Sequence, residues 1–163
     1  MLHLVPMTDA EFTAFLERTV AEYAAEKVRS GNWPAGDAAE RSRQEHQRLL
    51  PQGLQTPNQH IYTLRVEGLP EPVGDLWLAV EAHGEKRTGF IYDLYVQPAH
   101  RRRGYGRAAM LAAEAEARRL GCASLGLHVF AHNTAATELY HALGYQVTNI
   151  VMSKDLADRG AQG

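Results

Sequence analysis

Apolar positions change their spacing several times along the chain, and each change predicts an element. Leu2, Leu4 and Val5, stopped by Pro6, predict a short first strand. Thr8 or Asp9 can cap the helix that follows, with Glu11 in its first turn. Phe12, Phe15, Leu16, Thr19, Val20, Tyr23 and Val28 recur at helical spacing, so one amphipathic helix is expected to about Arg29. Ser30, Gly31 and Asn32 break it, and Trp33-Pro34-Ala35-Gly36 signals a second start. The helix expected over Asp37–Leu50 has a thin apolar stripe of Ala38, Leu49 and Leu50. So polar a helix either lies over an opening and lines an acceptor site or is a solvated surface helix.

Beyond the loop at Pro51–Asn58 the period falls to two. His60–Val66 alternates as a strand. Val73–Ala82 is the next, with Gly74, Leu76, Leu78, Val80 and Ala82 on its core face. Its other face (Val73, Asp75, Trp77, Ala79, Glu81) is mixed and suits a groove. Phe90–Val96 returns as a central strand, and short links make the three an antiparallel meander. A helix over Gly104–Leu120 then turns Ala108, Ala112 and Ala115 to one side and stops at Gly121. Leu125, Leu127 and Val129 mark another strand, so strand–helix–strand order implies a parallel crossover. Asn133 can cap a helix over Thr134–Leu143 whose inward face holds Ala136, Leu139, Tyr140 and Leu143. Tyr145–Ser153 is expected as a final strand, with a frayed tail from Leu156. The pattern predicts a single domain over residues 1–163, its core at about 2–155, built as one mixed α/β sheet with helices on both faces.

Composition narrows the classes. A chain of 163 residues, 45% hydrophobic and 22% charged, suits one globular domain. A net charge of -2 disfavours a general nucleic-acid coat. The lone Cys122 makes no internal disulfide and reads as core or loop filler. The start carries no signal pattern and no stretch approaches a membrane span, so the cytoplasm is the default location. The histidines keep no metal-ligand spacing, and no metal is assigned.

The chemistry concentrates between a strand end and a helix start. Gly104 and Gly106 bracket Tyr105, with Arg101, Arg102, Arg103 and Arg107 around them. A helix start offers unpaired amide hydrogens and a positive dipole end, and glycine lets an anion approach the backbone. Forked arginine donors add to this, and a diphosphate suits the combination. The dinucleotide fingerprint does not fit, because Ala109 stands at its third glycine and the motif comes late in the chain. A tight turn with solvated arginines is the bland alternative.

Three stretches together resemble a known family: Asp93-Leu94-Tyr95-Val96-x-Pro98, Arg101-x-x-Gly104-x-Gly106, and Asn133-x-x-Ala136-x-x-Leu139-Tyr140-x-x-x-Gly144-Tyr145. The chain is similar to the GNAT superfamily of acyl-coenzyme-A-dependent N-acetyltransferases. Its first half resembles one bacterial subgroup through Tyr23-Ala24-Ala25-Glu26-Lys27, Gly31-Asn32-Trp33 and Leu49-Leu50-Pro51-x-Gly53-Leu54-x-Thr56. The resemblance implies a sheet of six to seven strands, antiparallel in its first half, with a parallel pair around the cofactor cleft. It implies acetyl-coenzyme A in that cleft, with the pyrophosphate on the turn from Arg101 through Arg102, Arg103, Gly104, Tyr105 and Gly106 to Arg107. The Leu94–Tyr95–Val96 strand end would serve the pantetheine arm, Leu94 and Val96 through main-chain groups. Asn133 would contact the arm farther on, and Tyr140 would face the departing thiolate. A homodimer is common in the family.

Acetyl transfer to an amine needs a neutral amine, a polarised carbonyl and a fate for the thiolate. Main-chain amides can polarise the carbonyl and a tyrosine can protonate the sulfur. Asp93 is the first candidate for the base, Glu81 the second and His128 the third. Trp33, Tyr62, Trp77, Tyr92 and Tyr95 are candidates for an acceptor wall or for ordinary packing. The leading expectation is an N-acetyltransferase for a small-molecule or peptide amine. Its rivals are a coenzyme-A-binding sensor without catalysis, a transferase for another acyl donor, and a binding module built on the arginine turn.

Overall fold

Five strands form one sheet in the order β1-β2-β3-β4-β5, in a computed structural model that describes residues 1–157. β1 (Leu2–Pro6), β2 (Gln59–Val66), β3 (Gly74–His83) and β4 (Lys86–Val96) pair antiparallel in turn. β5 (Ser124–Leu127) lies parallel to β4. The crossover between them is α3 (Tyr105–Arg119), which packs on one face of the sheet. The other face carries α1 (Asp9–Arg29) and α2 (Ala38–Leu49). α4 (Thr134–Ala142) follows β5, and its Tyr140 and Leu143 pack against the α3-side core.

Two expectations need correction. The sheet has five strands, not six to seven, because Tyr145–Ser153 does not join it. Val147, Ile150, Val151 and Met152 of that segment are 62–93% exposed. β-branched composition favours a strand only where a neighbour supplies pairing and packing, and here β5 remains the sheet edge. The inward stripe of α3 is Ala109, Met110, Ala113 and Ala117, one step out of phase with the residues expected from spacing; Ala115 is exposed. With alanine at so many positions, the pattern has no contrast from which to read a phase. The frayed tail expected at the C-terminus, residues 158–163, lies outside the described residues.

Thr8 caps α1 through a reciprocal capping box: its side chain accepts from the Glu11 amide, and its own amide donates to the Glu11 carboxylate. Glu11 also accepts from Thr63 and Arg65 on β2, at 2.9 Å each, which ties the cap to the sheet. β3 and β4 pair with a slip. Leu78 faces Ile91 but Trp77 faces Asp93, so Tyr92 is an extra residue in β4. The bulge lets Ile91 and Leu94 both join the α3-side core, while Asp93 meets a side chain of α1. At the other end of this pairing, Gly74 is obligatory: a Cβ there would fall 1.9 Å from the Tyr95 carbonyl oxygen.

Candidate active site

Parallel pairing of β4 with β5 runs from Thr88–Ser124 to Ile91–Leu127 and stops. β4 continues to Val96, still paired with β3 through Gly74. From Tyr92 onward its other edge has no strand beside it. A hollow of about 140 Å³ opens there, lined by Asp93, Leu94, Leu127, His128, Asn133 and Tyr140 among others. Residues that stand apart in the sequence thus converge on one place. A larger hollow of about 740 Å³ lies by the start of β2 and the end of α3. It holds none of Asp93, Asn133 and Tyr140, and we place the chemistry in the smaller cleft.

The arginine turn supplies the anion side. Arg102 (φ 60°) and Gly104 (φ 81°) both take left-handed backbone. α3 therefore starts without a side-chain cap, and Ala108 is the first residue bonded back, to the Gly104 carbonyl. The amides of Tyr105, Gly106 and Arg107 are left as orphan donors at a positive dipole end. No atom lies within 4 Å of where a Cβ on Gly104 would stand, so the approach is open. Gly106 has a second use, because a Cβ there would meet Leu139 of α4 at 3.4 Å. Arg102, Arg103 and Arg107 are exposed. Arg101 turns back instead: its Nε donates to the Val96 carbonyl at 2.8 Å, and its guanidinium lies 5.5 Å from the Tyr95 ring centre. These donors and this open backbone fit a pyrophosphate, and the unpaired β4 edge beyond Ile91 fits an amide-bearing arm beside it.

Tyr140 reaches the cleft from α4, in the turn after the Asn133 cap, whose side chain accepts from the Ala136 amide at 3.3 Å. Among the described residues the Tyr140 hydroxyl has no hydrogen-bond partner, and it is not a sealed-off polar atom. Burial, with the charge of Asp93 adding to it, pushes this hydroxyl above the ordinary tyrosine value. Asp93 sits across from it. Burial pushes the Asp93 carboxyl up to about 6, although the nearby Arg18 pulls it down. His128 also lines the cleft, its ring 4.8 Å from Phe130, and burial lowers its basicity.

Other candidates lie elsewhere. Glu81 faces Thr88 across the strand pair, is about half exposed and bridges to His83 at 3.5 Å, away from the cleft. Tyr62 packs with the α3-side core, where its hydroxyl donates to Glu116 at 2.6 Å, and it lines the larger hollow and not the cleft. Trp77, Tyr92 and Tyr95 share the α1 face, with the Trp77 and Tyr92 rings 4.8 Å apart, and of the three only Tyr92 also lines the cleft. Trp33 meets Tyr23 edge to face, and Lys27 lies over both rings. Spacing missed Arg18, which contacts Asp93 from α1. Its only sequence signal is a charge placed three residues beyond Phe15, inside the apolar stripe of that helix. Spacing also missed the pairing of His132, beside the Asn133 cap, with Glu26 on α1.

The acetyltransferase (GNAT) family profile matches residues 19–145. The chain belongs to that family. It is 41% identical to the uncharacterised N-acetyltransferase YycN of Bacillus subtilis (strain 168), over 94% of this chain and 97% of YycN. A crystal structure of YycN superposes with a TM-score of 0.92 at 40% identity, covering 97% of this chain and all of that one. A second uncharacterised N-acetyltransferase of the same organism, YdgE, is 35% identical over 94% of this chain and 97% of its own length. An aminoglycoside N-acetyltransferase, AAC(6')-Iy, solved in complex with CoA, shares the fold at 16% identity with a TM-score of 0.57, over 97% and 96% of the two chains. No helix among the described residues is long and apolar enough to cross a membrane. The described residues hold no cluster of three or more metal-ligating side chains.

Proposed function

We propose that the protein moves the acetyl group of acetyl-coenzyme A to a primary amine by direct attack. The observation that carries this reading is the convergence of Asp93, Asn133 and Tyr140 on a cleft opened where β4 and β5 part, beside an uncapped helix start ringed by arginines. Family membership supports the transferase class.

Each group has a task. The amides of Tyr105, Gly106 and Arg107 bind the pyrophosphate, with Arg102, Arg103 and Arg107 adding charge. The free edge of β4 at Leu94 and Val96 aligns the pantetheine arm and aims a main-chain donor at the thioester oxygen. Asp93 takes a proton from the incoming ammonium. The amine nitrogen bonds to the carbonyl carbon as the carbon–sulfur bond breaks, and the Tyr140 hydroxyl gives its proton to the departing sulfur. Asp93 and Tyr140 line one hollow, so the proton held by the acid can return to the phenolate through water. The nitrogen sheds its remaining extra proton to water as the amide forms, so the sum is amide, free thiol and one proton released to solvent, with no acyl-enzyme. Cys122 has no part in it and packs against the α3-side core.

A panel of amines with acetyl-coenzyme A, read by free thiol release, tests the reading, and a succinyl donor run beside it tests the acyl group. Tyr140→Phe is expected to keep coenzyme A affinity in calorimetry and to lower kcat by about 10²–10⁴-fold. Wild type is expected to show a rise of kcat/KM through about pH 6, as the carboxyl deprotonates, and Asp93→Asn is expected to remove it. No measurable affinity for coenzyme A overturns the proposal, and a Tyr140→Phe enzyme as fast as wild type at every pH removes Tyr140 from it.

A further inference from the structure

Arg18 enters the cleft region from α1 with partners on every side. One of its terminal nitrogens donates to Asp93 Oδ2 at 2.8 Å and to Asp75 Oδ2 at 3.2 Å. The other donates to Glu22 Oε2 at 2.8 Å. The three acids belong to β4, β3 and α1. The guanidinium lies flat against aromatic carbon, 3.8 Å from the Tyr95 ring centre and 5.7 Å from that of Phe15. Only 17% of the Arg18 side chain is exposed, against 21% for Asp75 and 23% for Asp93. A guanidinium held in this way keeps one nitrogen on a single oxygen of Asp93, and a charge-assisted hydrogen bond so anchored orients the carboxylate.

Asp93 is engaged through one oxygen only. Among the described residues Oδ1 has no hydrogen-bond partner, yet it is not a sealed-off buried atom, and Asp93 is one of the residues that line the cleft. We propose that Arg18 is the positioning residue of the proton-accepting carboxylate: it holds Asp93 by Oδ2 so that Oδ1 faces the amine, and it shares its charge between Asp93 and Asp75. The proposal rests on the reading of Asp93 as the base. Arg18 itself touches neither substrate nor the reacting atoms; Asp75 acts only as the second claimant on its charge.

The charged and titratable groups facing Asp93 are Arg18 and Glu22 from α1, Asp75 from β3 and Tyr140 from α4. Arg18 favours the ionised carboxylate; Glu22 and Asp75 oppose it. One cation against three acids leaves a formal charge of 1 − 3 = −2 on the cluster. Two substitutions therefore push in opposite directions. Arg18→Gln removes the attraction, so the acid limb of kcat/KM is expected to move to higher pH by about 1–3 units. Asp75→Asn removes a like charge and leaves the fork to Asp93, so the limb is expected to move to lower pH by about half a unit. Arg18→Lys keeps the cation without the fork. It is expected to restore most of the limb position and only part of kcat, with KM for acetyl-coenzyme A unchanged.

The test is the pH profile of these variants beside wild type and Asp93→Asn, with melting temperature followed in parallel. Opposite displacements in Arg18→Gln and Asp75→Asn support the proposal. Should Arg18→Gln fail to fold, the downward displacement in Asp75→Asn and the split in Arg18→Lys, with the limb kept and kcat lowered, carry the test. If Asp93→Asn abolishes the limb while the other variants leave it in place and change only melting temperature, Arg18 is a structural clamp and this proposal fails alone. If Asp93→Asn keeps the wild-type rate and limb, the assignment of the base fails and takes this proposal with it.

Discussion

The two faces of the sheet are built by different rules. On the α3 side the sheet presents Leu64, Leu76 and Leu78, each at 0% exposure, to Ala109, Met110 and Ala113, also at 0%. Small residues let α3 sit close, and apolar contact makes up the centre of that face, with polar contacts such as Tyr62–Glu116 at its rim. On the α1 side a smaller cluster of Met7, Phe15, Leu50, Ile61 and Trp77 is surrounded by polar contacts. Of the five buried polar residues of the described chain, Thr19, Ser42 and His46 lie on α1 and α2, Thr56 in the loop after α2, and Thr63 on β2, where it donates to Glu11 of α1. α2 is docked by the Ser42 hydroxyl, which donates to the Val20 carbonyl of α1 at 2.6 Å, and by His46, whose ring lies between those of Tyr23 and Trp77. One face secures the fold; the other accepts the cost of burying charge, and the cost falls next to the cleft.

Three measurements probe that division. Leu76→Ala is expected to cost about 2–5 kcal/mol in denaturant unfolding, because it leaves a cavity in the apolar face. The pH profile of the surviving enzyme should keep its acid limb; a displaced limb would mean that the two faces are energetically joined. Ser42→Ala is expected to cost about 1 kcal/mol, the worth of one buried hydrogen bond, and to loosen α2 without unfolding the α3 side. Hydrogen exchange confined to α2 and its neighbours would show this. The smallest effect belongs to the rim of the α3 face, where Arg119 and Tyr62 donate to Glu116 and hold its carboxyl down at about 2, against the opposing effect of burial. A depressed carboxyl stabilises above its ordinary value near 4.5 and loses that contribution as pH falls towards 2. Glu116→Gln should flatten the stability curve in that window and lower stability slightly near neutrality, where the wild-type contribution is fully present.

What was legible in the chain follows from the same division. Period and caps found the α1 helix with its Thr8 start, the antiparallel meander and the parallel crossover, because apolar faces leave a spacing. The arginine turn was legible too, since left-handed backbone and an uncapped helix start follow from glycine and its neighbours. The phase of α3 was not, for alanine faces both ways. Nor was Arg18: three acids from separate elements meet it only after folding, and no spacing records contacts made across 57 and 75 residues. Tyr145–Ser153 has strand composition and no strand, because composition does not supply a partner.

The extra residue at Tyr92 changes the parity of β4 midway along its length. Upstream of it, side chains alternate in one sense between oily and charged surroundings; downstream, in the other. Loss of Tyr92 would therefore straighten β4 and leave Asp93 opposite Trp77 and Leu94 opposite Leu76, whereas a residue gained or lost in the regular stretch beyond Asp93 would put every later side chain on the wrong face.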